Sequence, residues 1–182
     1  LEKCIETLSG SSNGQAVLNK VLLTTKSDSA KVAVIDSLGK RIAVGDNVLI
    51  PTTNKEEVMK VLEGVRAHTE IKNTGIAGKE SNAVVNVLNA IDLGNEGAGI
   101  FADEGGLDIL DSLIASDNIE NAQKAVSALS KIVAQNKLAS EKRGTNDKRV
   151  NNRLKDLKVA SQIASALANQ ADDDDNADFA NE

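Results

Sequence analysis

The sequence predicts an all-α fold built from stacked helix pairs, and three observations carry that prediction. The composition is aliphatic and almost free of aromatic residues, with two Phe, no Trp, no Tyr and one Pro. β-Sandwiches and barrels draw on aromatic and β-branched residues with frequent Gly/Pro turns, so this mixture favours helix. Apolar residues recur at 3.6-type spacing from one end of the chain to the other. The longer stripes also return at intervals of roughly 40 residues, the interval of a helix pair that buries its apolar face only by stacking on a neighbour.

The elements follow in order. Leu1, Cys4, Ile5 and Leu8 form a stripe already under way at the first residue, which predicts a piece of a longer array. Ala16, Val17, Leu18, Val21, Leu22 and Leu23 form the next helix, and Val32, Val34, Ile35, Leu38 and Ile42 the one after it, with Asp28 or Ser29 expected as its N-cap. Asn54 and Glu57 stand at capping-box spacing before Val58, Val61, Leu62 and Val65. Ser81 is placed to cap a helix carrying Val84, Val85, Leu88 and Ile91. Beyond a Gly-rich bridge come Leu107, Ile109, Leu110, Leu113 and Ile114. A turn with Asp117 and Glu120 at capping-box spacing then opens a long helix with Ala122, Ala125, Val126, Leu129, Ile132 and Val133. A last helix is expected over 149–170, burying Leu154, Leu157, Ile163 and Leu167.

Superposing the second helices aligns Leu38, Leu88, Leu129 and Leu167, at separations of 50, 41 and 38 residues. This gives about four degenerate repeats, over 1–44, 45–93, 94–135 and 136–171, with an acidic disordered tail over 172–182. The stretch Gly105-Gly106-Leu107-Asp108-Ile109-Leu110-Asp111-Ser112-Leu113-Ile114-Ala115-Ser116-Asp117-Asn118 resembles the second helix and turn of an armadillo repeat. Ala125-Val126-Ser127-Ala128-Leu129-Ser130-Lys131-Ile132-Val133 resembles its third helix. The segment 95–101 is similar to the short first helix, and Asn136 to Gly144 to the start of the following repeat.

The resemblance implies an α-α superhelix, an armadillo-like solenoid, whose third helices line a groove that binds extended peptides through asparagines. At the matching positions stand Lys40 or Arg41, Ala90, Lys131 and Asn169, of which only Asn169 is an asparagine. The implied groove therefore suits a folded surface at least as well as an extended peptide. The partner-binding residues expected from this alignment are Lys40, Arg41, Asn89, Lys131 and Asn169, with Arg149 and Arg153 supplying charge.

The net charge of −6 is concentrated in the tail, where Asp172, Asp173, Asp174, Asp175, Asp178 and Glu182 meet no base. Residues 1–171 hold 21 bases against 21 acids. Within them Lys137, Lys142, Arg143, Lys148, Arg149, Arg153, Lys155 and Lys158 face only Glu141, Asp147 and Asp156. This basic stretch reads as a solvated helix face or as a surface for an acidic partner, such as an acidic protein tail or a phosphorylated peptide. Nucleic acid is disfavoured, because no aromatic side chains interleave with the bases and the whole chain is acidic.

Catalytic chemistry finds little to work with. Cys4 and His68, the sole Cys and His, are 64 residues apart. Cys4 reads as a packed thiol beside Ile5, and His68 as a cation favoured near a helix C-terminus. Gly94, Gly97, Gly99, Gly105 and Gly106 do not form Gly-x-Gly-x-x-Gly, and Gly78-Lys79-Glu80 lacks the rest of a phosphate loop, so interhelical turns account for them. The run Asp172–Asp175 lacks the alternation, Gly and final Glu of a calcium loop. No metal or cofactor is expected. One cysteine and no apolar run of about 18 residues fit a soluble protein of a reducing compartment. The expected function is a non-enzymatic protein–protein scaffold or adaptor in the cytoplasm, binding another protein with an acidic surface or tail. A structural segment of a ciliary or cytoskeletal assembly, packed on further repeats of its parent chain, and the regulatory repeat domain of a larger enzyme are the alternatives.

Overall fold

The computed structural model describes residues 2–52, 54–72, 82–94, 97–116, 118–143 and 148–156. These are mostly helical: α1 (Glu2–Ser9), α2 (Ser12–Thr24), α3 (Asp28–Ala43), α4 (Lys55–Ile71), α5 (Asn82–Ala90), α6 (Gly97–Asp103), α7 (Gly106–Ile114), α8 (Ile119–Arg143) and α9 (Lys148–Asp156). The all-α expectation omitted one feature, a short parallel ladder between β1 (Ile50–Pro51) and β2 (Ile91–Asp92). Thr52 extends it by donating both its main-chain N–H and its hydroxyl to the Asp92 carbonyl, at 2.8 and 3.0 Å. Asn19 of α2 donates to the Leu49 carbonyl at 2.8 Å and fastens the same strap.

Caps explain where several helices begin. Asn54 accepts the Glu57 amide at 3.0 Å as its spacing predicts, and Glu56 and Glu57 complement the positive end of α4. α3 is capped by Ser27, not by Asp28 or Ser29: the Ser27 hydroxyl accepts the Ala30 amide at 3.3 Å, which leaves Asp28 inside the first turn. α8 is opened by Asn118, whose side chain accepts the Asn121 amide at 3.1 Å; Asp117 and Ser81 lie outside the described residues. Gly45, at φ +93°, ends α3 in the left-handed conformation that glycine adopts without strain.

The buried stripes meet in one aliphatic cluster running from Ile5 to Val150, with Phe101 its largest fully buried side chain. Complete burial of a residue such as Leu38, Leu62 or Leu110 stabilises the fold by roughly 1.5–3 kcal/mol each. Contacts run along two rows. α3 packs on α5 and α5 on α8, while α2 packs on α4 and α4 on α6; α2 and α4 also cover α3, and α6 and α7 cover α8. Leu38, Leu88 and Leu129, aligned by sequence, are all buried along the first row; Leu167 lies outside the described residues.

Gly105 adopts φ +83° where α6 turns into α7, and a Cβ on Gly106 would collide with the Phe101 ring. The pair of glycines thus serves close approach at a sharp turn.

Two further expectations change. The segment expected to open a new repeat at Asn136 continues α8 to Arg143, because no Gly or Pro interrupts the run before Gly144. Cys4 is exposed and not packed: two-turn α1 buries Ile5, and the neighbouring positions Cys4 and Leu8 turn outward.

Candidate partner-binding face

The contact between α3 and α5 is set by glycine. A Cβ on Gly39 would lie 2.5 Å from the Ala83 Cα and 2.9 Å from its carbonyl oxygen, so only glycine lets the two backbones approach this closely. Asn86, 4% exposed, donates its side-chain amide to the Gly39 carbonyl at 3.1 Å across the junction. Beside this crossing lies a cavity of about 340 Å³ lined by Asp36, Lys40 and Lys72 with Asn82 and Asn86. Asp36, Lys40 and Ala43 stand at helical i, i+4, i+7 spacing and form the α3 wall.

Behind the cavity, His68 Nε2 lies 2.7 Å from Asp36 Oδ1, and Lys72 Nζ lies 3.0 Å from Asp36 Oδ2. Burial alone would raise the Asp36 carboxyl, but the hydrogen bonds from His68 and Lys72 outweigh it and hold the carboxyl below its ordinary value of 3.8. His68 sits in the last turn of α4, at the helix C-terminus as expected, and is 1% exposed and bound to Asp36. It continues the stripe Val58, Val61, Val65 by one more step of three, and that register places it inside.

The second junction of the row has its own polar bridge. Lys131 of α8 donates to the Asn89 carbonyl at 2.9 Å, setting an ammonium against the negative end of α5. Elsewhere Lys31, almost fully buried in α3, lies 3.3 Å from Asp28 and 2.9 Å from Glu63. Burial works to lower the Lys31 ammonium, but the two carboxylates raise it above its ordinary value. Glu63 is in turn held low by its hydrogen bonds from Lys31 and Lys60.

The expected site residues therefore separate. Lys40 is exposed on the cavity rim. Lys131 and Asn89 meet each other, through the Asn89 main chain. Arg41 is turned away into an ion pair with Asp46 in the turn that closes α3, and Arg153 pairs with Asp108 and ties α9 to α7. The sequence places Arg41 among the groove residues and Arg153 among those that supply charge; in the fold an intramolecular carboxylate engages each. Arg149 lies in α9 with its side chain outside the described set, as is all of Asn169.

Sequence reasoning missed Asp36, Lys72 and Asn86. Asn86 is two residues before Leu88 as Asp36 is two before Leu38, so the leucine alignment contained the signal. Among the described residues no group of three or more His, Cys, Asp or Glu is placed to hold a metal ion, and no helix is long and apolar enough to cross a membrane. The cavity offers two ammonium groups, the Asp36 carboxylate and two amides, which recognise by charge and hydrogen bonding. Comparison with protein-family models, curated proteins and solved structures found no match for this chain.

Proposed function

We propose that this chain is a non-enzymatic, armadillo-like helical-repeat scaffold that holds a partner protein along the face shared by α3, α5 and α8. The observation that carries the reading is the row itself. Three helices aligned by their leucines pack side by side, and each later helix reaches back to a main-chain carbonyl of the one before, from Asn86 to Gly39 and from Lys131 to Asn89. Rows of side-by-side helices are the element from which helical-repeat stacks build their binding surfaces. Exposed Lys40 and the cavity beside it supply polar anchoring on that surface.

A photo-crosslinking side chain introduced at Lys40 tests this against the same group at Lys20, exposed on α2 in the other row. A docking face gives a discrete adduct from position 40 and none from position 20. Excess unmodified chain suppresses that adduct, whereas excess Lys40→Glu chain does not. Equal labelling from both positions, or none from position 40, refutes the proposal.

A further inference from the structure

We propose that the cavity between α3 and α5 is an oxyanion site that takes a carboxylate side chain from an acidic segment of a partner protein. The inference rests on reading this face as a docking surface, and it names the chemistry of the occupant. Its volume, about 340 Å³, is at the low end of ligand sites and suits one or two side chains better than a cofactor.

The charge balance inside favours an anion. Asp36 spends one carboxylate oxygen on His68 and the other on Lys72, so its charge is matched within the protein. Lys40 has no hydrogen bond or ion pair among the described residues, and its exposed ammonium stands at the rim. The cavity also lies at the first turn of α5, where the helix dipole adds positive potential.

Two amides distinguish a carboxylate on a peptide from a free inorganic anion. Asn86, 4% exposed, lines the cavity and gives one N–H to the Gly39 carbonyl. Asn82 lines the same cavity with a buried Oδ1 that has no hydrogen-bond partner among the described residues. A half-satisfied buried amide is costly, so a ligand that completes it is favoured. The site therefore wants a negative oxygen together with N–H donors. A glutamate or aspartate brings its own main-chain N–H groups beside its carboxylate and satisfies both.

Fluorescence anisotropy with a labelled oligoglutamate peptide and the full chain tests the assignment. Lys40→Gln should weaken binding about tenfold, the worth of one charge-assisted hydrogen bond, and Asn82→Ala severalfold. Lys20→Gln should leave affinity unchanged, and an oligoglutamine peptide should not bind. Lys40 is exposed, so circular dichroism of its variant should match that of the parent chain. Equal affinity of Lys40→Gln and parent chain, as when the basic segment 137–158 captures the peptide, overturns the site. Binding of inorganic phosphate that displaces the peptide overturns the choice of occupant. A crosslink from Lys40 to a partner without acidic segments would sink this inference and leave the docking face standing, so the two failures are distinct.

Discussion

Replacing Gly39 by alanine probes the contact on which the α3–α5–α8 row depends. Alanine in a helix interior gains about 1 kcal/mol over glycine. Against this, the new Cβ would stand 2.5 Å from the Ala83 Cα, 2.7 Å from its Cβ and 2.9 Å from its carbonyl oxygen. Two of those atoms are backbone and cannot rotate away, so α5 as a whole must move. Overpacking of this kind costs about 1–3 kcal/mol, and a backbone obstacle puts it at the upper end. The net expectation is a loss of about 2 kcal/mol, or about 4–8 °C in melting temperature for a chain of 182 residues. Gly64→Ala is the internal control. It carries the same propensity gain, but the tight contacts of its Cβ would be side-chain ends, Ile35 Cδ1 at 3.0 Å and Leu22 Cδ1 at 3.1 Å, which shift by small rotations, with Lys31 Cβ at an ordinary 3.6 Å. Its stability should stay within about 1 kcal/mol of the parent. Urea unfolding followed by circular dichroism at 222 nm measures both. A Gly39→Ala variant as stable as the parent, or a Gly64→Ala variant that falls as far, would refute the argument that backbone contact at Gly39 sets the spacing of the row.

Two other predictions concern charge. Glu63→Ala leaves Lys31 buried with only the exposed Asp28 carboxylate, and a loss of about 1–2 kcal/mol in urea unfolding is expected, less than for a fully enclosed pair because Glu63 is 37% exposed. Lys31→Met removes the buried charge itself and should be neutral or stabilising; a large loss there and none for Glu63→Ala would reverse the reasoning. The Asp36 carboxyl is held low in the folded state, so its contribution is complete above the ordinary value of 3.8 and is lost as pH falls through the lowered folded value. Asp36→Asn can keep an acceptor for His68 Nε2 but loses the charge. Its stability deficit should therefore be full well above 3.8 and shrink as the pH falls below it, read from urea midpoints across that range; a deficit that is constant with pH excludes the ionic account.

The apolar skeleton was legible because burial imposes a period. Leu38, Leu88 and Leu129 had to face inward together, and Asn54 had to cap α4, since both follow from spacing along one helix. What the spacing withheld were the polar contacts between helices. Arg41 and Arg153 looked available because nothing in one dimension brings Asp46 or Asp108 to them. Lys31 and Asn86 sit inside the packed helices at positions that composition assigns to solvent, and their burial is intelligible only with Glu63 and the Gly39 carbonyl in place. The face of His68 was encoded by the stripe on α4, but its partner, on α3, was not.

The two bridges along the row solve a problem that aliphatic packing leaves open. Leucine and valine faces adhere without a preferred register, since burial is nearly non-directional. Asn86 and Lys131 each reach from the later helix to a carbonyl of the earlier one, and a displacement of one helix along the other would leave a buried amide or an ammonium without its acceptor. That penalty falls on slipped arrangements and not on the aligned one, so it specifies register even where its net stabilisation is small. Register in turn decides which side chains share the exposed face: with α3 and α5 fixed at Gly39 and Ala83, Lys40 and Asn82 come to line one cavity although they are distant in sequence.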